Sequence, residues 1–183
     1  MPYSVENTGL KDVLLLKPKL FADARGFFFE SFNQREFEKA TGLNIPFVQD
    51  NHSLSQQGVL RGLHFQKQFP QGKLIRVVRG EIFDVAVDIR PESPQYGHWS
   101  AAVLTGENHH QLWIPPGFAH GFLVLSAQAE VIYKTTDYWV ASDEEAIIWN
   151  DQDIGIDWPL GAIQGPPQLS AKDAAARPFK QPL

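Results

Sequence analysis

The sequence predicts an all-β protein, a sandwich or barrel of roughly eleven short strands with jelly roll among the options and only a few short helices. Three observations carry this expectation. The 183 residues are punctuated at short intervals by 14 glycines and 13 prolines. The runs between them are of strand rather than helix length and are rich in Val, Ile, Phe, Trp and Thr. Helix start and stop signals are scarce.

In chain order the expected strands begin with Val13–Phe21 and Phe27–Phe32. Asn33–Thr41, closed by Gly42, then reads as a helix. Pro46–Leu54 follows, and after it Val59–Gln66, an apolar run interrupted by Arg61, Gly62 and His64. Leu74–Arg79 is basic and bounded by Gly72 and Gly80. In Ile82–Ile89 the residues Phe83, Val85, Val87 and Ile89 fall on one face and Asp84, Ala86 and Asp88 on the other, the period of two that a sheet imposes. Gly97–Leu104 and Gln111–Ile114 come next, and then Pro115-Pro116-Gly117 sets a tight turn that presents His120 at the start of Gly121–Leu125. Ala129–Thr136, Ala146–Trp149 and a short helical piece starting at Ser170 complete the chain.

Length favours a single domain, residues 1–183, with a core of its own. Sixteen basic against 21 acidic side chains give a net charge of −5, which argues against nucleic acid or an anionic membrane as partner. Twelve of the basic residues lie in the first 90, so a local anion site stays open. The absence of cysteine excludes disulfides, thiolate zinc and a cysteine nucleophile. No apolar run approaches a membrane span or a signal-peptide core, so a soluble cytoplasmic protein is expected. Phosphate-loop, dinucleotide-fold and nucleophile-elbow motifs are missing.

Each unusual polar residue has a functional and a structural reading. Arg61 and His64 are three apart, so a regular strand sends them to opposite faces, whereas a bulge at Gly62 turns both into one cavity. His64 could equally be a hydrogen-bonded structural residue. Lys73 either protects an edge strand or projects into the cavity of His64, where a cation stabilises negative charge. His120 is either a site residue or a packed turn histidine. Tyr133 and Tyr138 suit a core or rim as well as a site. Ser170 and Asp173 have the spacing of a capping box.

Seven segments, in order along roughly residues 20 to 175, resemble the dTDP-4-dehydrorhamnose 3,5-epimerase family. They are Phe21-x-Asp23-x-Arg25-Gly26-x-Phe28-x-Glu30, Phe47-Val48-Gln49-Asp50-Asn51-x-Ser53, Gly58 to Gln66, Gln71-Gly72-Lys73-Leu74, Trp113 to Phe122, Tyr133-Lys134-x-Thr136-Asp137-Tyr138 and Leu169-Ser170-x-Lys172-Asp173. The resemblance implies a cupin-type jelly-roll barrel, a dTDP-sugar substrate, no cofactor, and a homodimer with exchanged N-terminal strands. Gln66 stands where metal-binding cupins carry the second histidine of His-x-His, which favours a metal-free site.

By the same resemblance His64 is the base, Asp173 its orienting partner, Lys73 the stabiliser of an enolate and Tyr133 the acid on the opposite ring face. Arg25, Arg61 and Lys172 meet the diphosphate. Phe21 and Tyr138 stack on thymine, and Glu30, Gln49, Asn51, His120 and Glu144 line the same pocket. Phe21 and Arg25 reach the neighbouring subunit, and Asp84 orients His120. The activity implied is inversion at C3 and C5 of a 4-keto sugar nucleotide. A C3-only epimerase, a ketoisomerase, a non-catalytic sugar-nucleotide binder and a metal-dependent cupin are the competing readings.

Overall fold

A computed structural model describes residues 3–179. With strands numbered along the chain, the larger sheet runs in the spatial order β1 (Tyr3–Asn7), β2 (Leu14–Pro18), β10 (Gln111–Ile114), β7 (Lys73–Arg79), β12 (Gln128–Thr135) and β5 (Gln49–Gln56). The smaller one is β13 (Glu144–Ala146), β6 (Leu60–Gln66), β11 (Phe118–Val124), β8 (Glu81–Asp88) and β9 (Trp99–Thr105). Both are antiparallel, and they face each other as a cupin-type jelly roll. A separate hairpin joins β3 (Phe21–Asp23) to β4 (Gly26–Phe28).

Alternation decides which side chains meet between the sheets. Ile75 and Val77 of β7, Ile82 and Ala86 of β8, Leu112 and Ile114 of β10, Phe118 and Phe122 of β11 and Val131 of β12 form the inner core. Their neighbours in sequence point outward. Leu60, Leu63 and Phe65 of β6, with Val85, Val87, Ala119 and Leu123, are covered by Ile147, Ile154, Trp158, Ile163 and Phe179 of the C-terminal segment. Tyr3, Leu16, Leu74 and Trp113 are covered by Phe37 of α1 (Gln34–Thr41). That helix starts where Asn33 accepts a hydrogen bond from the Glu36 N–H and stops where Gly42 takes a left-handed φ of 74°.

The expected strands are present with shifted ends, and four differences have local causes. Val13–Phe21 is two strands, because Pro18 has no N–H to continue a ladder and the chain turns before Phe21. Phe27–Phe32 stops at Phe28, so β4 pairs only with β3. Strand β1 was not anticipated: Ser4, Glu6 and Asn7 leave little apolar signal, and it is an edge that pairs with β2 alone. Last, the basic segment of Lys73 and Arg76 is no edge strand. It lies between β10 and β12, with Arg76 on the outer face and Lys73 inside.

The bulge expected in β6 is present. His64 pairs with His120 and Arg61 with Phe122, so Gly62 and Leu63 together oppose Gly121 alone. Gly62 has φ +120°, and a Cβ there would stand 2.5 Å from Gly121 Cα and 2.7 Å from the His120 carbonyl. Gly62→Ala is therefore expected to cost upwards of about 2 kcal/mol, read as a lowered denaturant midpoint. Gly161→Ala, with nothing within 4 Å of the new methyl, serves as the control. Equal midpoints for the two variants would remove the packing constraint claimed for the bulge.

Candidate functional site

One end of the space between the sheets is polar. Arg61 and His64 of β6, His120 and Phe122 of β11, Lys73 of β7, Tyr133 of β12, Ser53 of β5, Glu144 of β13, and Gln71 and Trp139 from loops line a chamber of about 210 Å³. The strand registers explain this gathering. Lys73 pairs with Thr135, Ile75 with Tyr133 and Val77 with Val131, so Lys73 and Tyr133 share the inward face with the core residues Ile75 and Val77. On the opposite wall the row His64–His120–Ala86 brings both histidines inward. His64 and Tyr133 thus enter one chamber from different sheets.

His64 Nε2 lies 2.5 Å from Asp173 Oδ1, across 109 residues of chain. An ionised carboxylate only accepts, so the shared proton sits on Nε2 and leaves Nδ1 as the basic nitrogen. Asp173 is buried, on α2 (Ala171–Ala174), and Ser170 caps that helix. Burial pushes the Asp173 carboxyl up, but hydrogen bonds from His64, Ser170 and the Gly62 N–H, with the His64 charge, outweigh it and hold the group below the usual carboxylate range. Half of the capping box is present and Asp173 also meets His64: its N–H bonds to Ser170 Oγ at 3.0 Å, while its carboxylate faces the imidazole instead of the cap N–H.

Lys73 is 8% exposed, and its ammonium donates to the His64 carbonyl at 3.4 Å. Burial pushes its pKa down to about 8, against the pull of Glu144 and Asp84. Tyr133 is shifted upward by burial and by Glu144, with Arg61 opposing, so its phenol keeps its proton. His120 Nε2 meets Asp84 Oδ1 at 2.8 Å, and Asp84 is fully buried, as its inward position on β8 requires. The Arg61 guanidinium donates to Ser55 Oγ at 3.1 Å. Among the described residues no three His, Asp or Glu side chains converge as metal ligands.

Other expected residues stand outside the chamber. Phe21 and Arg25 lie on the exposed β3–β4 hairpin, where Arg25 pairs with Asp23 at 2.6 Å and its side chain is 90% exposed. Glu30 does not line the pocket, contrary to expectation. The chain turns after β4 toward α1, and Glu30 accepts from the cap residue Asn33 at 3.3 Å. Gln49 and Asn51 bond to each other at 2.9 Å on the face of β5 that Ser53 continues into the chamber, and Gln49 also accepts the Trp139 N–H at 3.1 Å. They flank the lining without belonging to it. Tyr138 is exposed beside Trp139. Lys172 lies outside too, in an ion pair with Glu144, which forms part of the wall between the chamber and a surface hollow.

Sequence reasoning left out Ser53, Gln71, Phe122 and Trp139 as lining residues. Ser53 is two beyond Asn51 and Phe122 two beyond His120, so period two signals both. Gln71 is anchored to the Asp137 carbonyl at 2.7 Å. Trp139 had no local signal, being brought in by a loop. A larger groove of about 620 Å³, lined by residues such as Leu10, Leu43, Ile45 and Trp113, is mainly apolar and holds no cluster of acids and bases like that around His64. Chemistry, not size, selects the smaller cavity.

The sequence profile of the dTDP-4-dehydrorhamnose 3,5-epimerase family matches residues 7–181. The dTDP-4-dehydrorhamnose 3,5-epimerase of Salmonella typhimurium is 57% identical over 180 residues, 98% of this chain and 97% of that one. The structure of dTDP-6-deoxy-D-glucose-3,5-epimerase from Legionella pneumophila in complex with dTDP-4-keto-L-rhamnose superposes with a TM-score of 0.93 at 50% identity, covering 97% of this chain and 93% of that one. A 3'-monoepimerase from Streptomyces bikiniensis, in complex with dTDP-quinovose, has a TM-score of 0.84 at 31% identity, covering 97% and 86% of the two chains.

The buried lysine makes a prediction about stability. Its folded pKa of about 8 lies below the ordinary 10.5, so between those values the unfolded chain binds more protons than the folded one. Relative to Lys73→Met, the wild type should gain roughly 2 to 3 kcal/mol as pH rises across that window, seen by denaturant titration at successive pH values. A flat difference would mean that the ammonium is not desolvated.

Proposed function

The chain belongs to the dTDP-4-dehydrorhamnose 3,5-epimerase family, and on that footing we propose how its side chains divide the work. The enzyme is an isomerase of dTDP-L-rhamnose biosynthesis that inverts C3 and C5 of dTDP-4-dehydro-6-deoxy-D-glucose to give dTDP-4-dehydro-L-rhamnose. The observation that supports the assignment of roles is the entry of His64 and Tyr133 from opposite sheets into one chamber, with Asp173 behind the imidazole.

Both reacting carbons flank a ketone, so loss of either proton gives an enolate with its charge on the ketone oxygen. His64 Nδ1 takes the proton, and Asp173 stabilises the imidazolium that forms. The Lys73 ammonium faces the enolate oxygen, in a site dry enough for a fixed charge to act strongly. Tyr133 returns a proton from the other ring face, which completes the inversion. The imidazolium and the phenolate then reset by exchange with solvent, and the second carbon follows. His120, held by Asp84, lines the wall beside the sugar.

The chamber, at about 210 Å³, lies below the ~300 Å³ of pockets that hold whole ligands, so it takes the sugar while the nucleotide extends past its mouth. Arg61 sits inside with the diphosphate end, and Lys172 is the second cation of this chain near that path. Gln49, Asn51 and Tyr138 flank the nucleoside. Phe21 and Arg25 serve the chamber of a second subunit, in a homodimer that exchanges N-terminal strands. The outward position of the β3–β4 hairpin and its exposed Phe21, Phe27 and Phe28 support that arrangement. We place the enzyme in the cytoplasm as a single domain over residues 1–183.

Incubation of the substrate with wild type in D₂O should put deuterium at both C3 and C5, followed by NMR. Label at C3 alone would make the protein a monoepimerase, and no label a binder. His64→Ala and Tyr133→Phe should each lower turnover by about 10²–10⁴-fold with dTDP affinity nearly intact. Arg61→Ala, in contrast, should weaken dTDP binding measured by calorimetry by about ten-fold, the loss of one charged hydrogen-bonding partner. Wild-type turnover in the His64 variant would end its role as base.

A further inference from the structure

The carboxylate of Asp173 is clamped at both oxygens. Oδ1 faces His64 Nε2 at 2.5 Å, while Oδ2 accepts the Ser170 hydroxyl at 2.8 Å. In an ordinary capping box the acid at this position reaches back to the backbone N–H of the cap residue. Here the side chain is aimed elsewhere: the Ser170 hydroxyl accepts from the Asp173 N–H at 3.0 Å and donates to the Asp173 carboxylate. The capping motif has become a mount for the carboxylate.

We propose that Ser170 is a positioning residue of the epimerase: its hydroxyl fixes the rotation of the Asp173 carboxylate so that Oδ1 holds His64 in the tautomer and orientation that expose Nδ1. This rests on the role of His64 as base. The backbone of the segment has other anchors, since the Ile148 N–H bonds to the Arg177 carbonyl at 2.8 Å, and Lys172 and Arg177 pair with Glu144 and Glu145. Removal of one hydroxyl therefore leaves α2 docked and takes from the carboxylate one of its holds, with the Gly62 N–H and His64 remaining. The other charged or titratable groups around the imidazole are Lys73 at its carbonyl, His120 opposite in the strand ladder, and Arg61, Tyr133 and Glu144 across the chamber.

Three substitutions separate positioning from capping. Glycine caps a helix almost as well as serine but has no hydroxyl to donate, threonine keeps both functions, and alanine loses both. Ser170→Ala and Ser170→Gly should each lose about ten-fold or more in kcat with KM little changed, and Ser170→Thr should recover most of the loss. Carbon-13 NMR of the Asp173 carboxyl supplies a readout independent of turnover. Its titration should move to higher pH in the alanine and glycine variants, because burial still pushes it up and one opposing hydrogen bond is gone. Wild-type kcat in Ser170→Gly, or an unmoved Asp173 titration, would reduce Ser170 to a helix cap. A wild type that exchanges no substrate proton would overturn the role of His64 instead, and the Asp173 titration would still decide whether the hydroxyl sets the carboxylate.

Discussion

Buried charge is the constraint around which this molecule is arranged. An ionised group between two packed sheets is costly unless another group answers it, and the chamber's buried charges are set beside opposite or hydrogen-bonding groups. Asp173 meets His64 and Asp84 meets His120, while Lys73 sits in the combined field of Glu144 and Asp84. Glu144 in turn engages Lys172 on its outer side. These pairings hold the histidines in defined orientations, while burial lowers the Lys73 pKa to about 8 and the two carboxylates oppose that shift.

The barrel grades from dry to polar along its strands. On β7 and β12 the inward residues run from Val77 and Val131 through Ile75 and Tyr133 to Lys73 and Thr135, and the chamber begins where the aliphatic side chains end. The apolar part sets the sheets at a fixed separation, and the polar part uses that separation. His64 on one sheet and Tyr133 on the other enter the same chamber because the strands carrying them are packed. The bulge at Gly62 supplies the remaining adjustment, since without the extra residue Arg61 and His64 could not share a face.

Much of this was legible in the sequence because it follows from periodicity and punctuation. Alternation in β8 placed Asp84 opposite the outer apolar row, and the spacing of Arg61, Gly62 and His64 called for a bulge. The capped helix at Asn33 was equally plain. What escaped was set by contacts distant in the chain. Trp139 reaches the chamber on a loop and β1 is a polar edge, while the central place of β7 depends on partners that a basic strand cannot announce. Glu30 carried a motif letter that pointed to the pocket, whereas in this chain it turns to the cap of α1.

The two members of the His64–Asp173 pair are separated by 109 positions. During synthesis the strands of both sheets leave the ribosome before the aspartate does, since β13 ends at Ala146. All the residues that line the chamber thus precede Ser170 in the chain, and the carboxylate that meets His64 follows it. The carboxylate that holds the imidazole therefore comes from a segment that follows every strand of both sheets.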